Sequence, residues 1–411
     1  MAEKIPDIYL FNPTCEYAVA NGHASWQPNR LLQKMEDDLG TLPLFFARPE
    51  DVILVKTLPS EEFLESLKKM EIKPPRFVQT NAISKKNPFI NEPVNRLLPW
   101  GWSPAAHRLL GPLKDFCAEE FKKSPVFNWK PEYREIYSKK FALEILKKIL
   151  SKLPPEKVLS PHLLPQVCTS KAELEEQIRR WGKIMVKAPW SSSGRGLQRV
   201  TKTPVVEKVW EKLLGMVSEQ GYAIAEPLLD KVLDIALQFE IYQGKTNYLG
   251  ISRFSTDEKG QYQGNNLNGW PDDLNTQILQ FAESLPDLVL KPLINALETS
   301  LLAKYYEGNF GVDMLIFRDN DGNLRVNPCL EINVRLNMGL LSLHIEKLVS
   351  PGKKGIFRTF FQPGTSFMEF KKCMETSYPL KIQQGKIESG FFALTPAHND
   401  SKFGAFLLVD E

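Results

Sequence analysis

The sequence lacks the cysteine pairs that mark disulfide frameworks and zinc sites. Its 411 residues include five cysteines with no CxxC pair among them: Cys15, Cys117, Cys168, Cys329 and Cys373. Such isolated cysteines indicate neither kind of site. No apolar run approaches the roughly 20 residues of a membrane span, and the N-terminus has no apolar signal-peptide core. We therefore expect a protein of the reducing cytoplasm with no membrane partner.

An excess of charge of one sign is missing as well. Lys and Arg number 52 against 49 Asp and Glu, which gives a net charge of +3 at pH 7. So small a charge predicts no nucleic-acid partner. The hydrophobic content of 43% and the charged content of 25% are ordinary for a globular protein. At roughly 150 residues per domain, the length predicts two or three domains.

Short apolar strands alternate with a charged amphipathic helix in the first part of the chain. We predict the strands at 7–11, 51–56 and 76–80, and the helix at 60–70. This alternation is typical of a parallel α/β unit. The loop after the first strand of such a unit often meets the ligand, so Asn12 and Glu16 are candidates, with helix capping as the alternative. We expect segment 99–104 to be a connector with exposed aromatic residues.

No Walker A loop is present, but an apolar strand ending in Lys187 leads into a loop of small residues. The loop contains Ser191, Ser192, Ser193, Gly194 and Gly196. Backbone N–H groups of such residues can surround a polyphosphate, and Lys187 would add a positive charge. The loop is not a Rossmann fingerprint, because the third glycine position is Arg199. A simple hairpin turn is the alternative, and it is the commoner origin of a Gly/Ser loop between strands.

Segment 311–339 has the pattern of two apolar strands joined by a turn, with polar residues at defined positions. Asp313 lies in the first strand, and Glu331, Asn333 and Arg335 lie in the second at a spacing of two. Residues spaced by two share one face of a strand. Oxygens from Asp313, Glu331 and Asn333 would suit Mg²⁺, and Arg335 could hold a phosphate or a carboxylate. A surface hairpin with a hydrated polar face is the alternative, although charges between apolar residues are costly unless paired or metal-bound.

The order of these motifs resembles that of the ATP-grasp superfamily of carboxylate–amine ligases, over about half of the chain, 138–339. Lys139, which follows Ser138 at a predicted helix start, resembles the first nucleotide-binding lysine of the family. Lys187 resembles the second. The loop 191–196 is similar to the family's flexible phosphate loop.

The resemblance extends to the nucleotide hinge. Segment 226–230, EPLLD, is similar to the hinge that receives adenine through backbone groups, so Glu226 and Leu228 would bind the nucleotide. A carboxylate there contacts the ribose hydroxyls in the family. Asp230 is the first candidate for this role, and Asp234 is the alternative.

The resemblance also covers metal ligands and two arginines. Asp313, Glu331 and Asn333 match the magnesium ligands of the family, and we expect Glu331 to bridge two Mg²⁺ ions. Arg335 matches the arginine of the recurring Glu-x-Asn-x-Arg motif. Arg253 falls near a basic residue that contacts the terminal phosphates. Both arginines are therefore candidate catalytic residues.

Membership of this superfamily would imply an α/β protein with the ATP-grasp fold, in which two α+β lobes grip ATP. An N-terminal parallel α/β domain would precede the lobes and help to bind the acid substrate. We expect the N-terminal domain at 1–125, the small lobe with the phosphate loop at 126–230 and the metal-binding lobe at 231–350. A C-terminal extension at 351–411 has no predicted role.

The activity implied by the resemblance is an ATP-dependent ligase. It would join a small carboxylate, such as an amino acid or a peptide, to an amine through an acyl phosphate, and it would release ADP and phosphate. One alternative is a kinase or phosphotransferase with the same nucleotide grip. Another is a non-catalytic nucleotide-binding module, which the full set of charged site residues disfavours. The substrates and the oligomeric state are not predicted.

Overall fold

The chain begins with a parallel sheet. The computed structural model describes residues 4–83, 92–191, 196–257 and 260–410. Within these residues the first strands are β1 Ile8–Leu10, β2 Val52–Val55, β3 Arg76–Gln79 and β4 Leu97–Pro99. They are hydrogen-bonded in the order β3-β2-β1-β4, with parallel neighbours. Every residue of β2 is buried, as expected for a parallel strand covered on both faces. The predicted parallel α/β unit is confirmed.

Short helices surround this first sheet. They are α1 Cys15–Asn21, α2 Arg30–Asp38, α3 Glu61–Lys69, α4 Pro104–Leu110 and α5 Glu119–Lys122. The Ser60 side chain accepts a hydrogen bond from Phe63 N and caps α3. The expectation of exposed aromatic residues at 99–104 is wrong, because Trp100 and Trp102 are buried. Trp100 packs against Phe11 with ring centroids 4.7 Å apart.

A small antiparallel sheet forms the second unit. It consists of β5 Gln166–Cys168, β6 Ile184–Lys187, β7 Leu197–Val200 and β8 Ala223–Pro227. Their order in the described chain is β5-β8-β6-β7. The associated helices are α6 Lys139–Leu150, α7 Lys171–Trp181 and α8 Glu207–Gln220. Leu174 of α7 and Leu213 of α8 belong with Ile184 and Val186 of β6 to one buried apolar cluster. The amphipathic helices therefore bury their apolar faces against the sheet.

A larger antiparallel sheet forms the third unit. Its strands are β9 Asp230–Tyr242, β10 Lys245–Thr256, β11 Tyr262–Leu267, β12 Gly308–Arg318, β13 Leu324–Asn333, β14 Gly355–Phe361, β15 Lys381–Gln383, β16 Lys386–Ala393 and β17 Phe403–Val409. Their order among the described residues is β13-β12-β9-β10-β11-β14-β17-β16-β15. The helices of this part are α9 Thr276–Glu298, α10 Leu301–Tyr305, α11 Met338–Ile345 and α12 Phe367–Ser377.

The C-terminal segment is part of this sheet. β14 pairs with β11 on one side and with β17 on the other, so the sheet continues from the hairpin β12–β13 into the last strands of the chain. Among the helices of the described residues, none combines the length and the apolar character needed to span a bilayer.

The end of β13 lies where the three sheets meet. Leu336 N donates a 2.8 Å hydrogen bond to Trp100 O, which follows β4 of the first sheet. Lys139 at the start of α6 donates from its backbone N–H to Pro189 O, which follows β6 of the second sheet, and from its side chain to Glu331 of β13. The predicted architecture, a parallel N-terminal sheet followed by two α+β lobes, is confirmed. The space between the lobes is the candidate site.

Candidate active site

The two acids of the hairpin β12–β13 lie directly opposite each other. Asp313 and Glu331 are register partners across the antiparallel pair, so their side chains share one face of the sheet. The Asn333 amide donates a 3.1 Å hydrogen bond from Nδ2 to Asp313 Oδ2. The turn between the strands is closed by Asp319, which accepts bonds from the backbone N–H groups of Asp321 and Asn323. The structure therefore brings Asp313, Glu331 and Asn333 together, as the spacing of these residues along the two strands predicts.

The surroundings of these two acids shift their pKa values in opposite directions. Desolvation raises the pKa of Asp313 to about 7, and the neighbouring negative charge of Glu331 acts in the same direction. Desolvation also acts on Glu331, but Lys139 and Lys187 outweigh it and hold the pKa of Glu331 below its usual value. Glu331 is consequently the permanently charged member of the pair at neutral pH.

Lys139 reaches the acid pair from the start of α6. The Ser138 side chain accepts a hydrogen bond from Phe141 N and caps this helix, which fixes the position of the next residue. The buried Nζ of Lys139 donates 2.8 Å hydrogen bonds to Glu331 Oε1 and to Ser191 O. Lys139 therefore connects the hairpin of the third sheet with the loop of the second.

Lys187 forms a second ion pair in the same cleft. Its Nζ lies 2.5 Å from Glu226 Oε1, and both side chains are largely buried. Lys187 is the last residue of β6, and Glu226 lies on the neighbouring strand β8 in register with Met185. Each lysine of the cleft is thus neutralised by an acid, and an anionic ligand would compete with that acid for the lysine.

A cavity of about 660 Å³ lies between the second and third sheets. Eight of the candidate site residues named from the sequence line it: Lys139, Lys187, Ser191, Glu226, Leu228, Asp234, Asp313 and Glu331. Its other walls include apolar side chains, among them Leu163, Met185, Phe254 and Leu330. Pockets for small molecules are commonly of this size and combine apolar walls with a few polar groups. We call it the first cavity.

The loop after Lys187 is described only at its two ends. Ser191 is buried, and its Oγ donates to Ala188 O over 3.3 Å. Gly196 has φ +74°, and a Cβ there would lie 2.7 Å from the Ser191 Cβ, so glycine is required for this approach. Ala188 N also donates to Gly196 O, which closes the base of the loop. The candidates Ser192, Ser193 and Gly194 lie outside the described residues.

Only some of the residues predicted to contact the adenine and the ribose line the first cavity. Asp230 is exposed and does not line it, whereas Asp234 does, which favours the alternative carboxylate. Asp234 Oδ2 is 2.8 Å from Lys231 Nζ, and Lys231 was not singled out from the sequence. Leu228 lines the cavity, but its backbone N–H donates to Lys183 O. That N–H is therefore already engaged within the protein.

The position of Arg253 does not fit the predicted phosphate contact. Ser252 and Phe254, its neighbours on β10, line cavities beside the acid pair, so Arg253 faces the other side of the sheet. There its guanidinium lies 4.9 Å from the centroid of Trp270, and Nη1 is 3.5 Å from Glu346 Oε1. The sequence predicted the strand that carries Arg253, but it did not predict the face of the sheet on which the Arg253 side chain lies.

Arg335 lies just beyond β13 and is paired with Glu16 of α1. Its Nε donates to Glu16 Oε1 over 2.9 Å, and its Nη2 donates to Asn333 Oδ1 over 2.9 Å. Although desolvation opposes it, the charge of Glu16 raises the pKa of Arg335 above its usual value. The candidate Glu16 is therefore in the site. Asn12 is not, because its side chain bonds the backbone of Gly101.

A second cavity of about 470 Å³ adjoins the first and shares Asp313 and Glu331 with it. Asn333 and Arg335 line only this second cavity. It is built from the first and third units of the chain, since Trp100 follows the first sheet, and Phe361 and Phe403 belong to the C-terminal strands of the third sheet. Sequence analysis missed this aromatic wall, because its members are far apart in the chain and no local motif joins them.

The hairpin offers oxygen donors for a hard cation. Within the described residues, no cluster of three or more His, Cys, Asp or Glu side chains is arranged to hold a metal ion. The donors at the acid pair are instead two carboxylates and one amide, from Asp313, Glu331 and Asn333. Mg²⁺ usually takes one or two carboxylates and completes its shell with phosphate oxygens and water. The donor set therefore fits Mg²⁺.

Comparison with known proteins found similar solved structures. The chain is similar to N5-carboxyaminoimidazole synthetase from Staphylococcus aureus complexed with ADP, with 14% identity, 100% of this chain and 95% of that chain covered, and a TM-score of 0.47. It is similar to a complex of biotin carboxylase from Campylobacter jejuni, with 13% identity, 100% and 88% covered, and a TM-score of 0.48. No family model and no curated protein matches the chain. At these TM-scores the overall similarity is loose, and the site is assigned from its own geometry.

Proposed function

We propose that the protein is an ATP-dependent ligase that joins a small carboxylate to an amine and releases ADP and phosphate. One observation carries the proposal: Lys139 and Lys187 converge with the acid pair of the hairpin on the first cavity, and both acids of the pair also line the second cavity. The first cavity would take ATP, with its base between apolar side chains such as Met185 and Phe254. Lys139 and Lys187 would then bind the phosphates in place of Glu331 and Glu226.

Asp313, Glu331 and Asn333 would hold Mg²⁺. When bound, the metal supplies positive charge that offsets the triphosphate and the charge developing on the transferred group. This role is consistent with an exchange of partners at Glu331. Lys139 would leave Glu331 for the phosphates, and the metal cation would take its place.

The reaction would proceed in two displacements. A carboxylate oxygen of the substrate attacks the γ-phosphorus, the bond to the β-phosphate oxygen breaks, and ADP leaves. The amine nitrogen then attacks the acyl carbon, the carbon–oxygen bond to phosphate breaks, and one proton is released. Such phosphoryl transfer depends on positioning and charge neutralisation, for which lysines and Arg335 suffice without a protein nucleophile.

We also propose the division of the chain that the resemblance implies. Residues 1–125 would form the substrate-binding domain, 126–230 the lobe with the phosphate loop and 231–350 the metal-binding lobe. The segment 351–411 would extend that lobe and form a wall of the second cavity, since Phe361 and Phe403 line it.

Product analysis tests the proposal. The protein is incubated with ATP, Mg²⁺ and pools of small carboxylates and amines, and ADP, AMP and free phosphate are quantified. The ligase releases ADP and phosphate in equal amounts only when both a carboxylate and an amine are present. ADP without free phosphate indicates a kinase, and AMP with pyrophosphate contradicts the proposal. No turnover with any pool, despite nucleotide binding, would indicate a non-catalytic module.

A further inference from the structure

Aromatic side chains form a large part of the described lining of the second cavity. Its walls include Phe11, Trp100, Phe254, Tyr262, Phe361 and Phe403. Phe361 stacks on Phe403 with ring centroids 4.5 Å apart, and these rings come from β14 and β17 of the C-terminal segment. Such walls favour a ligand with a large apolar or aromatic group, because contact between them removes apolar surface of both the ligand and the walls from water.

The charges around the second cavity disfavour a phosphorylated or polyanionic ligand. Among its described lining residues, Arg335 alone carries a positive side chain. This arginine is already paired with Glu16 at 2.9 Å, and Asp313 and Glu331 add negative charge. Sites for phosphate groups usually supply several cations, whereas this lining supplies one. A ligand with a single carboxylate is compatible with this charge balance if the acid pair holds a metal ion.

A buried amide adds an unused hydrogen-bond acceptor. Gln238 lines the second cavity and is 1% exposed. Its Nε2 donates to Ser252 Oγ over 2.9 Å, but its Oε1 has no partner among the described residues. A Cβ on Gly339 would lie 2.5 Å from Gln238 Nε2, so the amide is held closely in place. A buried acceptor of this kind favours a ligand that carries an N–H donor.

We infer that the second cavity binds an α-amino acid with an aromatic or large apolar side chain, and that this amino acid is the carboxylate substrate. The inference rests on the proposed ligase function. The carboxylate lies toward the shared acids, where the two cavities meet and the γ-phosphate would be presented. The ammonium group donates to Gln238 Oε1, and the side chain lies among Trp100, Phe361 and Phe403.

Calorimetry with a ligand panel tests this inference separately from turnover. We expect phenylalanine to bind in the presence of Mg²⁺ and a non-hydrolysable ATP analogue at least about tenfold more tightly than alanine, because a large apolar side chain is buried. It should also bind more tightly than 3-phenylpropionate, which lacks the amino group. Glutamate and phosphoserine should bind weakly. Equal binding of phenylalanine and alanine, or preferred binding of phosphoserine, overturns the inference.

ADP release with the same panel distinguishes the two proposals. Tight binding of phenylalanine without ADP release in the presence of any amine supports the amino-acid site and overturns the ligase. ADP and phosphate release with small polar or phosphorylated carboxylates, but not with phenylalanine, leaves the ligase standing and overturns the amino-acid site.

A pair of exposed aromatic residues provides matched variants. Phe361 in the cavity wall and Tyr378 outside the second cavity are each 46% exposed, so neither replacement removes a core residue. We expect Phe361→Ala to raise the KM for phenylalanine about tenfold with little change in the KM for ATP. Tyr378→Ala should leave both constants unchanged. An unchanged KM for phenylalanine in Phe361→Ala contradicts the placement of the side chain.

Discussion

Lys139 Nζ donates a 2.8 Å hydrogen bond to Glu331 Oε1, although 192 positions separate the two residues. The bond joins the start of α6 to the acid pair of β13, and it neutralises both charges in a largely buried site. A cation and an anion held together in this way avoid the cost of an unpaired buried charge. The two residues therefore form a compact ion pair between the second and third units, and an anionic ligand of the cleft would compete with Glu331 for Lys139.

Replacing Lys139 with Met should weaken ATP binding. We expect the affinity to fall by about 10- to 100-fold, which corresponds to the free energy of one charge-assisted hydrogen bond or slightly more. The measurement is calorimetry with ATP and Mg²⁺. The neighbouring Lys140 is the control, since its side chain is 44% exposed and lies 4.0 Å from Glu135, and Lys140→Met should bind ATP normally. Equal affinities of the two variants would remove Lys139 from the nucleotide site.

Lys187 should contribute to stability as well as to binding. Because its Nζ neutralises the largely buried Glu226, Lys187→Met leaves a carboxylate without its partner, and we expect the melting temperature to fall. The double variant Lys187→Met with Glu226→Gln should recover most of that loss, while ATP affinity stays low in both. Recovery of ATP binding in the double variant would show that Lys187 does not contact the phosphates.

Arg253 should be dispensable for turnover. It faces Trp270 and Glu346 on the side of β10 away from the acid pair. We therefore expect Arg253→Gln to keep the wild-type KM for ATP and the wild-type kcat, with at most a lower melting temperature. A clear loss of kcat without a loss of folded protein would return Arg253 to the site.

Local patterns explain which parts of the site were predictable. The pairing of Asp313 with Glu331 follows from alternation along two strands joined by a short turn, and the position of Lys139 follows from a capped helix start. The position of Arg253 depends on which face of β10 meets the acid pair. No local pattern specifies that face, because the acid pair lies on β12 and β13, which are more than 50 positions away from β10 along the chain.

The second cavity shows why long-range contacts were missed. Trp100 was expected to be exposed, but it is buried against Phe11, and its backbone oxygen accepts a bond from Leu336. Phe361 and Phe403 reach the cavity only because the C-terminal strands join the sheet of the hairpin. Such pairings depend on tertiary structure, which composition and periodicity do not encode locally.

Glu36 should make stability depend on pH. Desolvation raises the pKa of this half-buried acid from 4.5 to about 7, while Thr14 donates to it from its backbone and its hydroxyl. The folded-state pKa lies above the unfolded value, so the protonated acid favours folding. That contribution is complete below about pH 4.5 and is lost as the pH rises through about 7. We expect the melting temperature to fall over this interval.

Glu36→Gln supplies the control for this pH dependence. The amide does not titrate, so the melting temperature of the variant should vary less between pH 5 and pH 8 than that of the wild type. Asp313, whose pKa is also raised to about 7, would leave a residual dependence. An identical pH profile for variant and wild type would show that Glu36 does not titrate in this interval.

The central claim is that the acid pair Asp313–Glu331 holds the metal ion of the ligase, and the variant Glu331→Gln tests it. We predict that ADP release at saturating Mg²⁺ falls by at least about 100-fold, as expected when a proposed ligand of the charge-stabilising metal is removed. Lys139 loses its charged partner in this variant, but Gln can still accept its hydrogen bond and the repulsion of Asp313 is relieved, so the melting temperature should fall only modestly.

The decisive measurement is the rate of ADP release by Glu331→Gln beside that of Asp321→Asn, which changes an exposed acid in the turn of the same hairpin. We predict near-complete loss of ADP release in the first variant and a wild-type rate in the second. A near-native rate in Glu331→Gln would remove Glu331 from the metal site and contradict the ligase assignment.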